Sequence, residues 1–85
     1  MEAVDLVKGG KYVVAASYVY IFEEIENGFA EEDVGVLPED GVVFEYSGES
    51  FTENDWTLYI FNMGRDGERK RCYIDKCQLP FLKSL

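Results

Sequence analysis

The chain has 85 residues, of which 47% are hydrophobic and 15% aromatic, and its formal net charge is -9. This composition is too apolar for an intrinsically disordered segment, and a chain of this length builds one small core. An acidic chain repels the phosphate backbone of nucleic acids, so direct nucleic-acid binding is not expected. We therefore expect a single folded domain that works through another kind of partner.

The charges are divided along the chain. Residues 12–64 contain twelve carboxylates and no Lys, Arg or His, whereas six bases face three acids from Arg65 onward. The acidic block also holds most of the aromatic residues, so the segment that builds the core carries the negative charge as well. Such a block predicts attraction to basic surfaces within about 8 to 10 Å at physiological ionic strength.

Two cysteines, Cys72 and Cys77, are present without a CxxC spacing. We predict two free thiols in a reducing compartment, one of them packed in the core; a disulfide is the alternative. The N-terminus lacks the basic region and apolar run of a signal peptide, and no stretch approaches the roughly 18 apolar residues of a membrane span. These features predict a cytoplasmic protein.

The first part of the chain predicts a strand followed by a long arm. Gly9-Gly10 ends a short lead-in, and residues 11–16 form the first strand. Aromatic and aliphatic residues alternate over 18–22, as in a strand, whereas Phe22, Ile25 and Phe29 are spaced as on a helix. We interpret residues 17–33 as an extended arm that bends back at Asn27-Gly28; a helix is the alternative.

Four further strands follow. Residues 34–37 and 42–46 predict a hairpin around a turn at 38–41, and residues 47–55 predict a polar loop. Residues 56–62 are apolar on both faces, which is typical of a central strand. After a turn at 63–67, residues 69–74 form the fifth strand. A tight helical turn at 75–78 then leads into a terminal segment, 79–82, in which Pro80 prevents a longer helix.

Five short strands with turns between them predict a small antiparallel barrel. The pattern resembles an SH3-like barrel in its first strand at 11–16, its long arm, its Gly-containing strand at 32–37, its two hairpins, and its last strand, tight turn and closing apolar residue at 73–79. The resemblance implies a mainly all-β fold with a lead-in at 1–9, the barrel at 10–79 and a C-terminal tail at 80–85. Peptide-binding SH3 domains carry an Ala-Leu-Tyr-Asp-Tyr-type motif and a tandem Trp pair; neither is present here, and Trp56 stands alone.

The sequence provides no catalytic constellation. It has no His, and no nucleophile elbow, P-loop or dinucleotide fingerprint occurs. Carboxylate pairs such as Glu23 with Glu26 are interpreted as solvated surface. Two cysteines are too few for a structural zinc site. We predict a protein that is not an enzyme and that uses neither a metal nor a cofactor.

The charged residues predict two features of the folded surface. We expect the basic strip, Arg65, Arg69, Lys70 and Arg71, to pair with the acidic block across the sheet; a weak, salt-dependent contact with phosphate is the alternative. We also expect the loops, rather than the strands, to carry most of the acids of residues 12–64.

These observations predict a non-catalytic protein-binding module, with an acidic inhibitor that occupies a basic, nucleic-acid-binding surface of another protein as the most specific interpretation. In size and charge the chain resembles small phage-encoded anti-defence proteins, including anti-CRISPR inhibitors, that imitate nucleic acid. The alternatives are a generic cytoplasmic interaction or assembly module whose acidity serves solubility, and a small-ligand-binding barrel with the arm and Trp56 as its pocket. The predicted binding residues are Glu23, Glu24, Glu26, Glu31, Glu32, Asp33, Tyr18, Tyr20, Phe51, Glu53, Asp55 and Trp56.

Overall fold

The computed structural model describes residues 5–15, 17–25, 28–65 and 68–85, with the backbone alone described for 23–25, 28–34, 65 and 68. These residues form seven strands and two short 3₁₀ helices. The strands are β1 Lys11–Val14, β2 Val19–Ile25, β3 Gly28–Val36, β4 Val43–Glu53, β5 Trp56–Arg65, β6 Glu68–Asp75 and β7 Leu82–Ser84. The 3₁₀ helices are Pro38–Asp40 and Lys76–Phe81.

The seven strands form one curled antiparallel sheet, a half-barrel, in the order β3-β2-β6-β5-β4-β1-β7. The predicted all-β class is confirmed, but the predicted count of five strands is wrong. The two additional strands are β2, from the arm, and β7, from the C-terminal segment, whereas the predicted second strand is the end of β3. The prediction of a central strand at 56–62 is confirmed, because β5 is the fourth of the seven strands.

The arm is a hairpin of β2 and β3, whose pairing runs from Val19↔Val36 to Ile25↔Gly28. The extended interpretation is therefore confirmed and the helical alternative is wrong. Burial alternates from one residue to the next, as in a strand: Val19 and Ile21 are fully buried, whereas Tyr20 between them is exposed. β2 is also paired with β6, which anchors the hairpin to the rest of the sheet.

The predicted hairpin of residues 34–37 with 42–46 is wrong. Residues 34–36 end β3 and pair with β2, whereas β4 pairs with β5 and β1. The Pro38–Asp40 segment makes a 3₁₀ turn in which the Asp40 carboxylate accepts the Leu37 N–H at 2.8 Å. Gly41 then adopts a positive φ of 68°. This turn redirects the chain to another part of the sheet instead of returning it along β3.

The predicted polar loop at 47–55 is also wrong, because β4 continues through it to Glu53. A bulge between Tyr46 and Glu49 shifts the register, with Gly48 at a positive φ of 87°, and the strand resumes its pairing with β5. Asn54 and Asp55 both have positive φ and connect β4 to β5 as a two-residue turn. The sequence did not reveal this strand because its residues after the bulge are exposed, apart from the half-buried Phe51, and therefore show no apolar alternation.

The distribution of the acids differs accordingly from the prediction. Eight of the twelve acids in residues 12–64 lie in strands, so the expectation that the loops carry most of them is wrong. They are Glu23 and Glu24 in β2, Glu31, Glu32 and Asp33 in β3, and Glu45, Glu49 and Glu53 in β4. Glu26 lies outside the described residues.

The predicted helical turn at 75–78 is confirmed and is longer than expected. It is the 3₁₀ helix Lys76–Phe81, which contains Pro80, so the expectation that Pro80 prevents a longer helix is wrong. The residues expected to form a C-terminal tail include β7, which pairs with β1 through Val14↔Leu82 and Tyr12↔Ser84. The 3₁₀ helix packs against β2, β5, β6 and β7, and its Leu79 enters the core. It therefore covers the opening of the half-barrel between β2 and β7.

The main core lies inside the curled sheet and is centred on Phe61, whose ring contacts those of Tyr12, Phe44 and Tyr46. A second, smaller apolar layer lies on the opposite face. Residues along β5 alternate between the two faces, and Leu58 is buried on the side away from Phe61. Tyr73 of β6 is buried on that same outer face and is paired with Phe22 of β2. This second layer explains why β5 is apolar on both faces.

Two further predictions are confirmed, the second for one residue. Neither cysteine forms a disulfide, and Cys72 is fully buried in the core whereas Cys77 is exposed. The expected pairing of the basic strip with the acidic block is seen for Arg69, whose Nη2 lies 2.8 Å from Oε2 of Glu45. This ion pair joins β6 to β4 across the intervening β5.

Candidate functional site

The predicted aromatic residues are on the surface, with one exception. Tyr18, Tyr20 and Trp56 are 45%, 44% and 44% exposed, and Phe51 of β4 is half-buried. Rings of this size bury 150 to 250 Å² when they enter a core, so three exposed ones are a feature that requires an explanation.

The predicted acidic residues lie in two places. Glu53 and Asp55 are exposed where β4 turns into β5, and Glu53 is directly opposite Trp56 in the sheet. The others lie on the arm hairpin, where the described backbone places Glu23 and Glu24 on β2 and residues 31–33 on β3, an edge strand of the sheet. Whether the arm acids gather on one side therefore stays a prediction.

The exposed aromatic residues lie in two neighbouring groups together with two residues that the sequence did not single out. Tyr18 and Tyr20 are in edge-to-face contact, with ring centroids 4.8 Å apart. Phe22 follows Tyr20 on the same face of β2, and its ring meets that of Trp56 at 5.7 Å. Phe81, 42% exposed, lies beside the two tyrosines. We call Tyr18, Tyr20, Phe22, Trp56 and Phe81 the aromatic strip.

One end of the aromatic strip encloses an open surface pocket of about 200 Å³. We call it the aromatic pocket; its lining residues are Ser17, Tyr18, Tyr20, Gln78 and Phe81. Gln78 joins its two sides, because Oε1 of Gln78 accepts the backbone N–H of Tyr20 at 3.0 Å. The pocket therefore lies where the chain leaving β1 meets the 3₁₀ helix Lys76–Phe81.

Ser17, at the edge of the aromatic pocket, has a φ of 60°. A left-handed backbone is uncommon for a residue other than Gly and costs on the order of 1 kcal/mol. This conformation turns the chain between β1 and β2, so that Tyr18 starts the strip instead of continuing the first strand. Backbone strain of this kind is concentrated at binding and catalytic sites.

Asp75 holds the other end of the strip. Its carboxylate accepts hydrogen bonds from the indole Nε1–H of Trp56 and from the backbone N–H of Cys77. Partial burial raises the pKa of Asp75, but hydrogen bonds from the Cys77 backbone, the Trp56 indole and the Cys77 thiol outweigh that effect and leave the pKa below its ordinary value. Asp75 is therefore ionised at neutral pH and fixes the orientation of the Trp56 ring.

No model of a known protein family, no characterised protein and no solved structure matches this chain. Within residues 5–15, 17–25, 28–65 and 68–85, no three potential metal ligands among Cys, Asp and Glu come together. The same part of the chain contains no helix with the length and apolar character needed to cross a bilayer.

Sequence reasoning thus identified three residues of the strip and missed Phe22, Phe81, Gln78 and Ser17. Phe22 continues the alternation of Tyr18 and Tyr20, and that signal was available in the sequence. Phe81 and Gln78 had no such signal, because 58 residues separate Gln78 from its partner Tyr20. Only the closure of the half-barrel brings these two parts of the chain together.

Proposed function

We propose that this chain is a non-catalytic, SH3-like protein-binding module that uses the aromatic strip to bind a basic surface of another protein. The observation that carries the proposal is the strip itself, with four rings more than 40% exposed on a chain of net charge -9. Aromatic side chains are enriched among the residues that dominate binding energy at protein interfaces.

The order of elements supports the SH3-like interpretation. If β2 and β3 are regarded as the arm, the remaining strands are β1, β4, β5, β6 and β7, with a 3₁₀ helix before the last one. β7 returns to pair with β1, and β4, β5 and β6 form a meander. The resemblance counts residues 32–37, which include the end of β3, as a barrel strand and does not include β7, so the support is limited to the long arm, the meander and the short helix near the C-terminus.

The charge supports a basic partner. Glu53 and Asp55 are exposed beside Trp56, and the arm that carries Tyr18 and Tyr20 also holds six further acids. Complementary charge accelerates association and selects among partners more than it adds affinity. A basic surface that normally binds nucleic acid fits this description, so we propose an acidic inhibitor of the phage anti-defence type as the specific form of the function. We expect it to act in the cytoplasm, where both thiols stay reduced.

The pocket volume bears on the alternative of a small-ligand-binding barrel. Pockets for cofactors and drug-sized ligands have volumes of about 300 to 1,000 Å³. The aromatic pocket has about 200 Å³ and is open to solvent, and Trp56 does not line it. It is therefore better suited to a single side chain of a protein partner than to a whole cofactor.

A binding assay with a defined panel tests the proposal. The chain is immobilised, and basic nucleic-acid-binding proteins and neutral proteins of similar size are passed over it at 50 to 500 mM salt, with and without duplex DNA. We expect binding of a basic protein that weakens steeply with salt and is lost with DNA. Salt-independent binding to a neutral protein, unaffected by DNA, would contradict the inhibitor and favour the generic module.

Three variants locate the binding face. Trp56→Ala and Tyr18→Ala should each reduce affinity about tenfold or more, because central aromatic residues of an interface contribute roughly 2 kcal/mol or more. Val7→Ala is the matched control, since Val7 is exposed but precedes β1 and lies outside the strip. Equal effects of all three variants would show that the strip is not the binding face.

A further inference from the structure

Two rings of the aromatic pocket are in edge-to-face contact. The planes of Tyr18 and Tyr20 are inclined by 77°, with their centroids 4.8 Å apart. Two nearly perpendicular rings in edge-to-face contact make a corner, and Phe81 and Gln78 line the same pocket. The face of an aromatic ring carries negative electrostatic potential and attracts a cation that lies over it.

The corner is held in place before any ligand arrives. The Tyr20 backbone is tied to Gln78 by the 3.0 Å hydrogen bond, and Gln78 belongs to the same short helix as Phe81. Ser17 fixes the direction from which the chain enters Tyr18. A preorganised site loses less conformational entropy on binding, and a larger share of the interaction then appears as affinity.

The charges around the pocket specify the ligand further. None of the five lining residues is charged, so no carboxylate compensates for the dehydration of a cation and no Lys or Arg of the chain occupies the site. Guanidinium is more weakly hydrated than ammonium and stacks flat on aromatic faces. The net charge of -9 supplies the long-range attraction.

We propose that the aromatic pocket receives the guanidinium group of an arginine side chain of the partner protein. This inference rests on the proposed function, because it names the residue of the basic partner that the strip binds. The planar group stacks on the ring of one of the two tyrosines with its edge toward the other, and Phe81 lies along its aliphatic stem. Arginine is also the basic residue most often found at protein interfaces and in contact with nucleic acid, so the surfaces that this acidic chain fits are rich in it.

An NMR titration of the whole chain with small probes tests the proposal. The probes are N-acetyl-arginine amide and its neutral isostere N-acetyl-citrulline amide, which differ in charge but not in shape. We expect the arginine probe to shift the ring resonances of Tyr18, Tyr20 and Phe81 and the side-chain amide of Gln78. We expect citrulline to bind at least about threefold more weakly, the lower limit set by loss of one cation–π contact. Equal binding of the two probes would overturn the proposal.

Two substitutions distinguish a contact that requires an aromatic ring from one that requires only a bulky side chain. Tyr20→Phe keeps the aromatic face and should leave arginine binding within about twofold, whereas Tyr20→Leu should weaken it about 3- to 30-fold. Retained amide dispersion in the NMR spectrum shows that the Leu variant is folded; if it is not, the comparison is repeated with Tyr18→Phe and Tyr18→Leu. Unchanged binding in a folded Leu variant would also overturn the proposal.

Free L-arginine distinguishes a protein ligand from a metabolite. Its ionised amino and carboxylate groups should give no advantage over the capped probe, and binding more than about tenfold tighter than the capped probe would assign the pocket to a small molecule instead. The results can distinguish this inference from the proposed function. Salt-sensitive binding of a basic protein would support the protein-binding module, whereas equal binding of arginine and citrulline in the same chain would reject the arginine pocket alone.

Discussion

The indole N–H of Trp56, at the start of β5, donates a hydrogen bond to Asp75, at the end of β6. The same carboxylate accepts the backbone N–H of Cys77 at 3.0 Å and caps the 3₁₀ helix Lys76–Phe81. That helix carries Phe81 and Gln78 into the aromatic pocket. Asp75 therefore connects the two ends of the aromatic strip, and its removal should affect both.

Replacing Asp75 with Ala should lower the free energy of unfolding by about 1 kcal/mol, the usual cost of losing a capping side chain. The Trp56 fluorescence of the folded state should also change, because the indole loses its hydrogen-bond acceptor. Urea denaturation measures the first effect and an emission spectrum the second. Glu53→Ala is the control, because Glu53 is an exposed acid opposite Trp56; a loss as large as that of Asp75→Ala would contradict the prediction.

The pH dependence of the same contribution follows from the lowered pKa of Asp75. A carboxylate whose pKa is lowered by folding stabilises the protein above its unfolded pKa of about 3.9, and this contribution is lost as pH falls through the folded pKa. The difference in stability between the wild type and Asp75→Asn should thus be constant from pH 7 to about 5 and shrink below about pH 4. Urea midpoints at a series of pH values measure it; an equal difference at pH 3 and pH 7 would exclude this role.

Gly10 lies where a side chain does not fit. A Cβ at this position would stand 2.8 Å from the hydroxyl oxygen of Tyr12 and 2.9 Å from the carbonyl oxygen of Val7. Tyr12 is buried, and its hydroxyl accepts the Val7 N–H at 2.9 Å, so neither group can move freely. We expect Gly10→Ala to cost about 1 to 3 kcal/mol.

Gly35→Ala is the matched control for Gly10→Ala, because its Cβ would meet the Tyr20 ring at an ordinary distance of 3.6 Å. It should cost less in the same urea experiment. Tyr12→Phe removes one of the two close contacts at Gly10, so the double variant should lose less stability than the sum of the single ones. Strict additivity would show that the Tyr12 hydroxyl does not cause the strain.

The turn between β4 and β5 offers a stabilising substitution. Asn54 and Asp55 have φ values of 50° and 65°, and both central residues of a type I′ turn require positive φ. Asp55→Gly should therefore raise the free energy of unfolding by about 0.5 to 1 kcal/mol, and Asp55→Ala should lower it. Thermal denaturation of the three proteins measures the order, and a Gly variant less stable than the Ala variant would contradict the turn type.

The two thiols should react at different rates. Cys77 is exposed, whereas Cys72 is fully buried next to Ile74 and Phe61 in the core. Iodoacetamide should modify one thiol of the native protein and both in urea, as counted by mass spectrometry. Rapid modification of both thiols under native conditions would show that β6 opens far more readily than a central strand should.

Part of the fold follows from local sequence patterns. Alternation along residues 18–22 and 56–62 predicts strands, because a strand places successive side chains on opposite faces whatever it pairs with. The C-terminal half of β4 was missed because it is exposed apart from the half-buried Phe51 and so lacks this alternation, and a bulge at Gly48 breaks its period. The short β7 was missed because three residues are too few for a periodic signal.

The sequence by itself determined the all-β class, the separation of acidic and basic segments and the absence of His, since composition and period are local properties. Tertiary structure alone decided which strands pair, that most acids lie in strands, and that Tyr20 meets Gln78 across 58 residues. The physical reason is that strand pairing depends on the closure of the whole sheet. The aromatic pocket exists only where β2 and the last 3₁₀ helix meet at that closure, and no single stretch of sequence encodes it.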